Sequence, residues 1–246
     1  MTIRTRAAGA MVFLAAIGAA RADIPPFYQL GARPAEDLYA IGALYFSGPR
    51  FSGSDETRLV IRPSATIMLT NGFFADPISG IGFNASTDPR YEYGVRATLG
   101  LGRDGSDAAP ELGRLSDGLN VGGFANMNAT PRLTLQSALR YGTGRHHDGT
   151  LVDLGASFDL VQWNHGSLSV DGYESFASSS YMRSYYGVGG GPQWTNAGIS
   201  ITTPLHPKVL AAVSVDRTWL APPVAESPLV KRSSWLSVQA TIAVAF

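Results

Sequence analysis

Apolar and polar positions alternate along most of the chain with a period of two. Between 91 and 102, Tyr91, Tyr93, Val95, Ala97, Leu99 and Leu101 share one face, while Glu92, Gly94, Arg96, Thr98, Gly100 and Gly102 share the other. Such alternation predicts a β-strand with one apolar face. It recurs in 132–141, where Leu133, Leu135, Leu139 and Tyr141 oppose Thr134, Gln136 and Arg140, and in 150–160, where Val152, Leu154, Ala156, Phe158 and Leu160 oppose Asp153, Gly155, Ser157 and Asp159. The runs 59–69, 119–129, 197–205, 209–215 and 236–246 follow the same rule. They extend over about 9 to 13 residues, the length a tilted strand needs to cross a bilayer. Soluble sandwiches use strands nearer 5 or 6 residues.

The connections alternate in length. Thr70-Asn71-Gly72, Thr87-Asp88-Pro89, Ala129-Thr130-Pro131, Trp163-Asn164-His165-Gly166 and Leu205-His206-Pro207 are compact turns made of residues that tolerate or impose turn geometry. Between them lie the longer segments 47–56, 103–117, 143–149, 177–194 and 221–233. Tight turns at one rim and long loops at the other are the asymmetry of an outer-membrane barrel. If 72–87 counts once, the strand number is odd, whereas a barrel with both ends in the periplasm needs an even one. Splitting that segment into FFAD (73–76) and IGFNAS (81–86), joined by Pro77-Ile78-Ser79-Gly80, restores the alternation and gives twelve strands. Pro63 interrupts a predicted strand and suggests a bulge. Glu174 falls on the apolar face of 167–176 unless a bulge shifts it or it lies above the hydrocarbon, and Arg217 and Trp219 suit the headgroup level.

The ends of the chain decide between membrane and water. Residues 1–22 combine Arg4 and Arg6, a short apolar run and the small-x-small site Ala20-Arg21-Ala22 before Asp23, the pattern of a cleaved secretory signal. The expected mature chain, 23–246, is a single all-β domain: a transmembrane, antiparallel, up-and-down β-barrel in the cell outer membrane with both termini periplasmic. Signal removal takes three of the 19 basic residues and none of the 19 acidic ones, so the mature chain is acidic, which disfavours nucleic-acid binding. With no cysteine, its stability must come from burial and hydrogen bonding. In hydrocarbon every strand group must be paired, so the last strand must bond to the first, near 37–46. SVQATIAVAF (237–246) is then the closing strand, with Val244 in the seam and Phe246 at the periplasmic rim. A terminal aromatic after an alternating strand also resembles the signal that barrels present to the outer-membrane insertion machinery.

The polar face suits a crowded interior better than open water. The chain has only two lysines, Lys208 and Lys231, and its inward positions are Gly, Ser, Thr and Asn with isolated charges. Arg62, Glu92, Arg96, Arg140, Asp153, Asp159, Asp171 and Asp216 are the expected lumen charges, available to line a pore or to pair and fill it.

The order of motifs resembles the MipA/OmpV family (MltA-interacting proteins) of Gram-negative outer-membrane proteins. The carrying residues are FSGSDETR (51–58), NGFFAD (71–76) with GIGFN (80–84), GLGRDGSDAAPELGRLSDG (100–118), HDGTLVDLGASF (147–158), SYMRSYYGV (180–188), SPLV (227–230) and the terminal aromatic. The chain departs from the family pattern after Val188, where GGGPQ is short, and at Ala245, where a tyrosine or arginine is often found. The resemblance implies a non-enzymatic barrel with a structural role, holding a murein-degrading lytic transglycosylase near a murein synthase. A narrow channel for small solutes and an outer-membrane hydrolase are the alternatives.

Candidate chemistry is sparse. His146 and His147 are adjacent, so on extended backbone they point to opposite faces and would not chelate one ion. No Ser, base and acid converge in the sequence, and neither a cofactor nor a metal is expected. Tyr181, Met182, Tyr185 and Tyr186 form the most aromatic outward segment, a candidate for binding or for the interfacial girdle.

Overall fold

The computed structural model describes residues 33–100, 102, 115, 117–143, 148–163 and 166–246. They form twelve antiparallel strands, each bonded to its neighbours in the chain, and the sheet closes on itself. The strands are β1 (Leu38–Pro49), β2 (Thr57–Met68), β3 (Phe73–Asp76), β4 (Gly80–Asn84), β5 (Tyr91–Gly100), β6 (Gly118–Asn128), β7 (Leu133–Thr143), β8 (Gly149–Trp163), β9 (Gly166–Ala177), β10 (Gly191–His206), β11 (Val209–Leu220) and β12 (Ser234–Ala245). Helix α1 (Ser179–Tyr186) follows β9, and a single turn, α2 (Pro222–Ala225), follows β11. β1 begins and β12 finishes at one rim, the terminal end; the long connections gather at the other, the loop end.

Closure follows the sequence expectation. Val244 pairs with Ile41 and Ala245 with Ala40. The Phe246 N–H donates to the Tyr39 carbonyl at 3.0 Å, and the two rings stack with centroids 6.4 Å apart. The segment 72–87 holds two strands, β3 and β4, as the parity of the strand count requires. Local chemistry explains its entry: Gly72 adopts φ 99°, which favours glycine, and the Asn71 Oδ1 accepts from the Phe73 N–H at 2.9 Å.

Pro63 is accommodated without the expected bulge, since the register Ala43 to Pro63 runs unbroken between Gly42–Ser64 and Leu44–Arg62. The Phe246–Tyr39 bond turns the odd-numbered peptide groups of β1 toward β12 and the even ones toward β2, because bonded and non-bonded pairs alternate along an antiparallel ladder. Ser64 and Arg62 therefore bond to β1, and the Pro63 nitrogen faces β3. On that side, among the described residues, β2 is paired with β3 only at Ile67 and Met68. The short β3 places no partner beside Pro63, so its missing donor costs no ladder bond.

Glu174 pairs opposite Leu154 and Thr195; the register shifts of β9 with its neighbours fall on the partner strands, between Asp159 and Val161 and between Pro192 and Trp194, so Glu174 stays exposed on the outer face three residues before the loop end of β9. It lies in the same row as Trp219, which pairs with Thr195. Arg217 sits over the Trp219 ring at 5.9 Å and donates to the Ser234 Oγ at 2.7 Å.

The outer face is an apolar belt: Val95, Leu139, Ile61 and Leu236 are each more than half exposed. Among the described residues no helix is long and apolar enough to cross a membrane, so any crossing is made by the strands. Inward glycines permit tight coiling of the wall. A Cβ on Gly42 or Gly122 would run into the Ile242 or Leu139 carbonyl oxygen of the adjoining strand.

Candidate functional site

The lumen divides into three levels. At the loop end it is filled by an apolar plug. Helix α1 stops where Gly187 takes the left-handed conformation (φ 76°, ψ 15°), and its N–H caps the Arg183 carbonyl at 3.0 Å. Tyr181, Met182, Tyr185 and Tyr186 on this helix are at most 5% exposed. They pack with Leu151, Tyr173, Trp194, Leu220, Val224 and Trp235 from β8 to β12 and from α2. Tyr181 and Tyr185 stack at 5.8 Å, and Tyr185 meets Tyr186 at 4.6 Å. Polar ties hold the plug: Ser227 Oγ donates to the Tyr186 carbonyl at 2.5 Å, and Gln193 Nε2 to the Tyr186 hydroxyl at 3.3 Å. In the adjoining β1–β2 and β11–β12 connections Phe51 and Leu229 are buried, and the Lys231 and Arg232 N–H groups both donate to the Gly53 carbonyl.

This corrects the expectation that Tyr181, Met182, Tyr185 and Tyr186 present an outward contact surface. Burying large apolar side chains is worth about 1.5–3 kcal/mol each, which favours folding the segment into the barrel over leaving it in solvent. Their spacing, at i, i+1, i+4 and i+5, is that of a helical face, a signal the strand-based reading passes over. A second missed signal is the apolar doublets Leu151-Val152, Trp219-Leu220 and Trp235-Leu236, where the alternation fails because Leu151, Leu220 and Trp235 pack on the plug while Val152, Trp219 and Leu236 lie on the apolar outer face.

At the middle level Glu92, Arg96, Arg140 and Asp153 lie within electrostatic reach of one another. Arg62, Glu92, Arg96, Arg140, Asp153, Asp159, Asp171 and Asp216 all lie on the inward face, by register and by their partners. The Arg140 Nε is 2.6 Å from the Asp153 Oδ2; Asp153 is fully buried, and its Oδ1 accepts from Ser175 at 2.7 Å. Glu92 accepts from Asn126 at 2.7 Å. Arg96 stands over the Phe124 ring at 5.4 Å, and Phe124 meets Phe74 edge-on, so part of this level is apolar too. The expectation of a crowded polar interior therefore holds only in part.

Toward the terminal end the polar side opens into a cavity of about 590 Å³ lined by Gln136, Asp159, Asp171, Asp216 and several hydroxyl side chains. Beside it, at the rim, lies a more apolar space of about 910 Å³ between β1, β2 and the β10–β11 turn. There the exposed His206 Nδ1 accepts from the Lys208 N–H at 3.5 Å, a turn contact. The signal-site residues Ala20, Ala22 and Asp23, together with His146, His147 and His165, lie outside the described residues.

Among curated proteins no match is found. Solved structures similar to this one include an outer membrane channel from Pseudomonas putida F1, with 10% identity over 91% of this chain and 100% of that one and a TM-score of 0.47. The Pseudomonas putida toluene transporter TodX has 11% identity over 86% of this chain and 89% of that one, with a TM-score of 0.37. At that level the likeness carries no functional meaning, and the barrel stands on its own pairing pattern. The sealed sheet, the apolar belt and the family model for MltA-interacting protein MipA, which matches residues 41–246, agree: this is an outer-membrane β-barrel protein, and it belongs to the MipA family.

Proposed function

We propose that the protein is a non-enzymatic scaffold, closed to solutes, which presents its terminal-end rim to the periplasm and there holds a murein-remodelling enzyme. The apolar plug carries this reading: Met182, Tyr186 and Val224 are wholly buried across the loop end, where a conducting path would need water. The family's description as MltA-interacting supplies the partner class, a murein-degrading enzyme of the MltA kind. The short turns at the terminal end, against the long connections opposite, support a periplasmic placing of both termini. A signal peptide over 1–22 would deliver the chain to that membrane, and Phe246 would be read by the insertion machinery.

Planar-bilayer recording combined with co-purification tests the proposal. The intact protein is expected to give no single-channel steps and to retain an MltA-type lytic transglycosylase from detergent-solubilised envelopes. Replacing 179–187 by a short Gly-Ser linker is expected to produce steps. Steady conductance by the intact protein, or failure to retain the enzyme, would overturn the scaffold reading in favour of a narrow channel.

A further inference from the structure

The cavity of about 590 Å³ has an unbalanced chemistry. Asp159, Asp171 and Asp216 line it, and among the described residues no Lys, Arg or His does. Asp171 and Asp216 flank Gly198 in register, one from β9 and one from β11. Their oxygens come within 2.7 and 2.5 Å of the point a Cβ on Gly198 would occupy, so the two carboxylates face each other across a missing side chain. Elsewhere in the lumen the fully buried Asp153 has Arg140 at hydrogen-bonding distance. Enclosed carboxylates without a counter-charge are costly, so a ligand is the natural source of the balance.

An independent observation points the same way. Gln136 is 95% buried (5% exposed) and lines this cavity, and among the described residues its Oε1 has no hydrogen-bond partner. The buried Asp171 Oδ2 has none either. Asp159 already accepts from Gln162 and Ser169, and Asp216 from Ser214, so the protein's own hydroxyl and amide donors at these carboxylates are committed. What Gln136 Oε1 and Asp171 Oδ2 lack is a donor, and what the three carboxylates lack is a positive charge. Buried acceptors are almost always satisfied, and an ammonium group brings up to three donors with its charge.

The space is far larger than one metal ion needs. Among the described residues no group of three or more His, Cys, Asp or Glu is placed to hold one. Carboxylates spread over β8, β9 and β11 instead match cationic centres distributed along a chain, and Tyr173 and Trp163 add aromatic lining to the same space. We propose that this cavity binds a linear aliphatic polyamine, with one ammonium between Asp171 and Asp216 and another toward Asp159.

Isothermal titration of the full barrel in detergent with spermidine tests this. Saturable binding with a stoichiometry near one is expected, weakened at least about tenfold in Asp171→Asn/Asp216→Asn, whose side chains keep their shape while losing both charges. Asp159→Asn is a second, milder variant, expected to weaken binding at least about threefold; it keeps the proposal testable if the double variant does not show the heat-modifiable mobility of a folded barrel. Absence of saturable binding to the unaltered protein would overturn the proposal. So would unchanged affinity in the folded variants, or complete displacement of spermidine by an equal concentration of Mg²⁺, which would mark the site as a simple counter-ion atmosphere.

Discussion

Replacing Arg140 by Met tests the internal electrostatics of the barrel. The guanidinium Nε lies 2.6 Å from an Asp153 carboxylate that is wholly inaccessible to solvent. Removing one partner of such a pair typically costs about 3–5 kcal/mol, because the other charge is left enclosed without compensation. Two contacts soften the loss: Ser175 still donates to Oδ1 at 2.7 Å, and Arg96 lies within electrostatic reach of Asp153. The expected destabilisation is therefore at the low end, about 3 kcal/mol. Asp153→Leu alone should cost a similar amount, because it removes this ion pair and leaves the repulsion between Arg140 and Arg96 in place. The double variant, with both charges gone, should return to within about 1 kcal/mol of the unaltered protein. Urea unfolding of the barrel in short-chain lipid vesicles, followed by tryptophan fluorescence, gives the four corners of the cycle. If the two single changes add within about 0.5 kcal/mol, the pair is not coupled and the argument fails.

Three further outcomes are expected. Leu139→Arg, mid-strand on the outer face, should destabilise the lipid-embedded barrel by about 2–4 kcal/mol, whereas Leu154→Arg should cost less because Glu174 lies directly opposite; equal costs measured by the same unfolding assay would contradict the assigned depths. Gly122→Val should prevent a normal heat-modifiable shift on electrophoresis, since its Cβ would collide with the Leu139 carbonyl oxygen; an unaltered shift would show that the wall can relax there. Deleting Phe246 should lower the yield of inserted protein in cells while leaving refolding into detergent near normal, and an equal defect in both would assign the residue to stability rather than assembly.

Much of the wall was legible in the sequence because two independent physical signals coincide there. Period-two alternation marks most of the strands, and Asn, Asp, Gly and Pro mark the reversals. Even β3 and β4, too short to show periodicity, followed from the requirement that the strand count be even. The inward placing of Arg140, Asp153 and Asp216 came from the same alternation. The plug was not legible as such, since Tyr181 and its neighbours lie in a connection, and whether a connection folds inward or outward depends on the space the closed wall leaves. The acidic arc was visible only as scattered residues: Asp159, Asp171 and Asp216 are separated in the chain and meet through the registers of β8, β9 and β11. The bulge expected at Pro63 failed because the reading assumed that both flanks of β2 carried full ladders.

That last point bears on how the wall yields. β2 shares twelve register pairs with β1 but two with β3. Peptide groups along this seam should exchange their protons soonest, and under mechanical pulling the cylinder should tear lengthwise here before any other joint gives. A strip of the wall is thus built as its own fault line, fixing where rupture starts.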